Sequence, residues 1–267
     1  MTMRWLMTAG AMVLTSGAAA GQTRPGFTVG LGAHDYNYRE RVENSTIVRH
    51  DGVLVALAAS YVETIGSGWF LKAHAEGASG EVDYRNDEGA RANDLEQQVS
   101  LLELGVGRDL PIGRAVLTPS IAVGVRTLID DLGGRTASDG SVGYDREIYY
   151  AYVPVGLTLG VPVGRSQVSL SARYGFIFGG RSDSELSQAD SRLPDLKLDI
   201  DGGHLWELNA ALSVPLGQRA LTFGPFVRRW SADASESRTV RVGPDEILFF
   251  EPAARTTEAG LRVSLSF

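Results

Sequence analysis

The residues of this chain that could do chemistry are few and scattered. Asp83 and Asp87 lie in one polar stretch, and Asp199, Asp201 and His204 lie in another, far downstream. An aspartate that orients a histidine can make the imidazole a general base for a water, so a hydrolytic Asp/His pair is conceivable if the fold joins the two stretches. Other catalytic patterns are missing. The chain has no Gly-x-Ser-x-Gly elbow, no His-Glu-x-x-His, no Gly-x-x-x-x-Gly-Lys-Ser/Thr loop and no cysteine. His34, His50, His74 and His204 stand at no common ligand spacing, so neither a metal site nor a cofactor is expected. Asp183, Glu185, Asp190 and Asp195 make an acidic stretch, but they follow no calcium-loop spacing and are interleaved with Arg192 and Lys197. A solvated loop is the simpler expectation there.

A second set of charged residues shows a different order. Glu40, Lys72, His74, Glu76, Glu103, Arg126, Arg173, Glu207, Arg228, Glu258 and Arg262 occur at alternate positions within otherwise apolar stretches. Successive side chains of a strand point to opposite faces, so this set belongs to one polar face. Its five acids oppose five permanent bases, and the simplest arrangement is an interstrand ion-pair network, with Tyr36, Tyr38, Tyr150, Tyr152, Phe226 and Trp230 filling the space between. Such a network could satisfy buried charges by pairing. It could instead line a narrow pore whose rings of charge select an ion.

The elements that must position these residues are strands. Alternation, β-branched and aromatic content and flanking turn residues mark ten segments: 27–40, 53–64, 69–81, 96–110, 116–129, 148–161, 167–179, 204–214, 221–232 and 249–267. In the seventh, Val168, Leu170, Ala172, Tyr174, Phe176 and Phe178 form one face, while Ser169, Ser171, Arg173, Gly175 and Gly179 form the other. The connections alternate in length. Gly66-Ser67-Gly68 and the three related turns around Pro111-Ile112-Gly113, Pro162-Val163-Gly164 and Pro215-Leu216-Gly217 are short, whereas 41–51, 82–95, 130–147, 180–203 and 233–247 are long and polar. Short turns at one rim and long loops at the other, with the apolar face outside, describe an all-β, antiparallel up-and-down transmembrane β-barrel of about ten strands. About eight strands leave an interior just filled by side chains, so ten sit near the closed end of the size range.

Composition agrees with that class and excludes others. No apolar run is long enough to cross about 30 Å of hydrocarbon as a helix. Mean hydropathy is −0.05, as expected when lipid-facing and inward residues alternate. The formal charge of −7, or −8 once Arg4 is removed, argues against a nucleic-acid partner. Residues 1–20, with Arg4, an apolar stretch and Ala18-Ala19-Ala20, read as a signal peptide, leaving 21–267 as one barrel domain. At the other end, Leu261, Val263, Leu265 and Phe267 alternate with Arg262, Ser264 and Ser266. A terminal strand closing on Phe267 resembles the signal read by the insertion machinery of Gram-negative outer membranes, so that machinery and outer-membrane lipid are the expected partners.

Tyr36-Asn37-Tyr38-Arg39-Glu40, Gly143-Tyr144-Asp145-Arg146-Glu147, Glu251-Pro252 and Thr256-Thr257-Glu258-Ala259-Gly260-Leu261 resemble a set of Gram-negative outer-membrane barrels of poorly defined role. In that set Pro often follows the Tyr-Arg-Glu segment, where this chain has Arg41. The resemblance implies a barrel in the bacterial outer membrane and supplies no catalytic role. The ten-strand omptin proteases share that architecture and carry acids and histidine at the extracellular mouth, but their local motifs do not match here. The expectation is therefore a non-catalytic barrel plugged by ion pairs, with long extracellular loops for contacts with ligands the sequence does not name. A narrow channel or porin for small solutes and an omptin-like protease are the alternatives.

Overall fold

The computed structural model describes residues 23, 25–43 and 45–267. The expected signal peptide lies outside the described residues.

Ten long strands form a closed antiparallel barrel. In ring order they are β1 (Gly26–Val42), β2 (Ser45–Gly66), β3 (Trp69–Asn86), β4 (Arg91–Arg108), β6 (Ala115–Asp131), β7 (Arg146–Val163), β8 (Ser166–Ser184), β10 (Gly203–Leu216), β11 (Arg219–Ala232) and β14 (Ala253–Ser266). The β1–β14 and β8–β10 ladders complete the ring. β5 (Leu110–Ile112) extends one short-turn hairpin, β9 (Leu196–Ile200) adds to the end of β8 away from the short turns, and β12 (Arg238–Val242) and β13 (Asp245–Phe249) form a separate hairpin.

The outer surface explains why the strands sit in lipid. Leu31, Val55, Leu57, Leu104, Leu157, Leu170 and Leu261 are all exposed on it, a belt that water would penalise and hydrocarbon favours. Phe27, Tyr61, Trp69, Phe223 and Phe267 add exposed rings near the short-turn rim, where aromatic girdles sit at a membrane surface. No helix among the described residues is long and apolar enough to cross a membrane.

Three short turns are two-residue hairpins, Gly113-Arg114, Gly164-Arg165 and Gly217-Gln218. Each glycine has φ between 61° and 66°, whereas the residue after it has an ordinary negative φ. That is the type II′ pattern, whose first central residue has to be glycine and whose twist matches the flanking strands.

The structure corrects two parts of the sequence expectation. The stretches 41–51 and 82–95 are not long loops, because β1 and β2 meet at a tight turn near Glu43 and β3 and β4 leave only residues 87–90 between them. These strands continue beyond the bilayer: 18 residues of tilted strand rise roughly 45 Å, against an apolar band of about 25 Å. Residues 132–145, 185–202 and 233–252 remain as long connections. In β8, Ile177 continues the inward phase of Ser169 to Gly175, and a bulge opposite Ala151/Tyr152 then shifts the phase so that Gly180 and Ser182, and not Gly179, face inward above it. A bulge adds one residue to one strand and so reverses the facing of everything beyond it.

Candidate functional site

The polar interior is built from pleat and ring position together. Every residue of the alternating charged set stands on the inward phase of its strand. In a ring of ten, strands five places apart face each other across the lumen, and the ion pairs use that geometry. Arg126 on β6 donates to Glu258 on the opposite strand β14 at 2.7 Å, and both are completely buried. Arg228 on β11 joins Glu258 at 2.5 Å to Glu76 on β3 at 2.6 Å. Arg262 bridges Glu76 and Glu207, each at 3.2 Å, and Arg173 bridges Glu207 at 3.3 Å and Glu103 at 2.5 Å. Four guanidiniums and four carboxylates thus form one continuous middle network.

Aromatic residues brace it. The Arg126 guanidinium lies 4.6 Å from the ring centroid of Trp230, and Tyr152 stands edge-on to that indole at 4.8 Å. Gly124, directly opposite Tyr152 in the β6–β7 ladder, makes room for its ring: a Cβ there would come within 2.6 Å of the phenol carbon. The ring so placed donates its hydroxyl to Glu103 at 2.8 Å. Tyr36, Tyr38, Tyr150 and Phe226 are also buried in the interior.

Two members of the expected set stand apart from the middle network. Glu40 belongs to a second cluster at the end opposite the short turns, and Lys72 forms no ion pair with any described residue. His74 reaches only the edge of the network, with Nε2 4.0 Å from Glu76. His34, which the alternation also placed inward, was not in the expected set, yet its Nε2 lies 3.5 Å from Glu258.

The cluster at the end opposite the short turns centres on Arg146, the first residue of β7. Its Nη1 donates to Glu40 on the opposite strand β1 and to Glu251 at 3.0 Å, while Nη2 and Nε donate to Asp130 at 2.7 and 3.1 Å. Tyr38 donates to Glu40 at 3.1 Å, and Ser182 to Glu251 at 2.9 Å. One guanidinium therefore serves three buried carboxylates. Glu251 lies outside the spanning strands, in the connection before β14, and ties that connection to the barrel mouth. Its backbone N–H donates to Ser235 Oγ at 2.8 Å, and its carbonyl accepts the Ser235 N–H at 3.0 Å. Burial pushes the Glu251 carboxyl up to about 7 against the pull of Arg146, with Glu40 and Asp130 adding to the rise. Burial likewise holds the phenol of nearby Tyr144 up at about 12.

Arg146, Asp130 and Glu251 fall outside the expected set, the first two because the sequence marks 130–147 as a long polar connection. Carrying the alternation Arg126, Leu128, Asp130 and Tyr150, Ile148, Arg146 outward would have found two of them. Glu251 had no such signal, since its inward position depends on an irregular connection.

The conceivable Asp/His site does not assemble. His204 begins β10 on the outer face, where its ring stacks at 6.1 Å on Tyr174, another outward residue. Asp83 sits opposite Asp51 in the β2–β3 ladder, on the face where Arg39 pairs with Asp51 at 2.6 Å. Asp199 pairs in register with Arg181 across β8 and β9. No described His, Asp and Glu residues cluster as metal ligands would.

No protein-family model matches the chain, and neither does any curated protein sequence. Solved structures do. The outer membrane protease OmpT from Escherichia coli superposes with a TM-score of 0.56 at 7% identity, over 91% of this chain and 97% of that one. The fold is that of an outer-membrane β-barrel. The translocator domain of the autotransporter NalP from Neisseria meningitidis aligns over 90% of this chain and 88% of its own at a TM-score of 0.38 and 10% identity. The Ralstonia pickettii toluene transporter TbuX aligns over 91% and 89% at 0.40 and 10%. The apolar belt of this outer-membrane barrel fits it to a bilayer, and the closed ring leaves no strand edge unpaired in lipid.

Proposed function

We propose that this bacterial outer-membrane barrel is non-catalytic and non-conducting, with a lumen sealed at mid-height by its own ion pairs and an extracellular end that serves surface contacts. The observation that carries the reading is the Arg126–Glu258 contact of 2.7 Å between strands on opposite sides of the ring. Side chains that meet across the diameter, with Tyr36, Tyr152 and Trp230 buried beside them, occupy the space a water column would need. Pairing is also what makes the buried charges tolerable, because a lone charge in such a place would cost several kcal/mol, on the order of 3–5. The outward placement of His204 argues against the hydrolytic alternative. Phe267, exposed at the end of the last strand, is the terminus we assign to recognition by the insertion machinery.

Planar-bilayer recording tests the seal. The wild-type chain should give no discrete conductance steps, and the double variant Arg126→Ala/Arg228→Ala should give them. Steps from the wild-type protein, altered by Arg126→Ala or Glu103→Ala, would show a selective pore instead.

A further inference from the structure

Below the middle network, the lumen opens into a cavity of about 500 Å³. Its charges do not balance. Lys72, Arg173, Arg228 and Arg262 line it, against only Glu103 and Glu207. The three guanidiniums are committed to carboxylates of the network, and the two lining glutamates are taken by Arg173 and Arg262. Lys72 is left as a surplus ammonium, well exposed to the water of the cavity. One turn of the pleat above it, His74 also lines the cavity, and its buried Nδ1 has no hydrogen-bond partner.

We propose that this cavity binds a small oxyanion, a carboxylate or a phosphate, with Lys72 as its charge partner. An ammonium is a compact cation with three donors and suits either group. Hydroxyls of Ser60 and Ser171 line the same space and supply further donors. An anion there is partly withdrawn from bulk water, which strengthens its attraction to a nearby cation.

Access is from the short-turn side. A second cavity of about 320 Å³ at that rim shares Thr23, Thr28, Val62 and Gln167 with the first, so the two adjoin. Thr23 stands at their junction and is held there by Asp109, which accepts its N–H at 2.6 Å and its hydroxyl at 2.9 Å. Asp109 also accepts the Thr118 hydroxyl at 2.7 Å, so its own charge is spent on the wall and not on the incoming anion. The ligand would therefore be a periplasmic solute held within the barrel. This proposal goes beyond a sealed barrel and needs only the cavity.

The test is direct binding to the full chain folded in an uncharged detergent at low ionic strength, with inorganic phosphate followed by 31P NMR and acetate by calorimetry. Saturable binding of at least one probe is expected, weakened about tenfold or more in Lys72→Met and in Lys72→Gln, as loss of one charge-assisted contact implies. Which probe binds identifies the oxyanion. Heat-modifiable electrophoretic mobility reports that each variant is folded. No saturable binding of either probe, or equal binding by both folded variants, would overturn the proposal.

Discussion

The two ends of the lumen spend charge in opposite ways. At one end one guanidinium, Arg146, meets Glu40, Asp130 and Glu251, while at the short-turn end one ammonium, Lys72, forms no ion pair with any described carboxylate. A count of five acids against five bases over the alternating set conceals this, because Glu40 and Lys72 cancel on paper and never meet in space. Only the middle network is balanced locally. The Arg146 end is also tied down by the connection that carries Glu251, whereas the Lys72 end opens into the larger cavity. The same residue types are therefore held structurally at one end and left available at the other.

That contrast is most exposed to Arg146→Met, which keeps apolar bulk and removes the guanidinium that pairs with three buried carboxylates. The expected cost is about 3–5 kcal/mol, the range for leaving buried charge uncompensated. Urea unfolding in detergent micelles measures it, and protease cutting within residues 233–252 should rise with it. Arg126→Met should cost less, about 2 kcal/mol, because Glu258 keeps Arg228 at 2.5 Å. If Arg126→Met proved the more damaging, the middle network and not the Arg146 cluster would be the main internal tie.

How much of this was legible in the sequence depended on whether the pleat continued undisturbed. Arg126, Arg173 and Glu258 could be read because the outward neighbours of each are apolar, so the period of two is visible. Above the bilayer both faces of a strand become polar: Arg39 and Asp51 pair on the outside just where Tyr38 and His50 pack inside. The alternation vanishes there although the strand does not, which is why 41–51 and 82–95 read as loops. The bulge beside Ile177 hid the phase of the upper part of β8 for a related reason, since a single inserted residue reverses the pattern without leaving a mark in composition. The Asp/His site failed on facing alone: one step of the pleat puts His204 outside and Leu205 inside.

Proton uptake distinguishes the two ends by a smaller effect. The folded-state value of Glu251, near 7, lies above that of an exposed carboxyl, so the folded chain holds a proton that the unfolded chain releases. The stability this confers is complete below about pH 4.5 and is lost as pH rises through about 7. Hydrogen exchange in residues 233–252, corrected for intrinsic rates, should therefore quicken between pH 5 and pH 8. Glu251→Gln keeps the shape and cannot ionise, so its exchange should stay flat and slow across that range. A variant that keeps the wild-type slope would show that Glu251 does not set the pH dependence.

The smallest effect on stability is expected at Lys72. Replacing it with methionine breaks no ion pair among the described residues and trades a water-exposed ammonium for a side chain of similar length, so the change should stay within about 0.5 kcal/mol, as at an ordinary exposed position. In the same unfolding assay this stands against the several kcal/mol expected for Arg146→Met, although both remove one positive charge from the interior. A large loss for Lys72→Met would mean that the ammonium already stabilises the network above it, through Glu103 or Glu207, and the distinction between the two ends would fail. A gain in stability would have the opposite meaning. It would show that the surplus cation is repelled by Arg173 and Arg262 in the unliganded barrel, a strain that a bound oxyanion relieves.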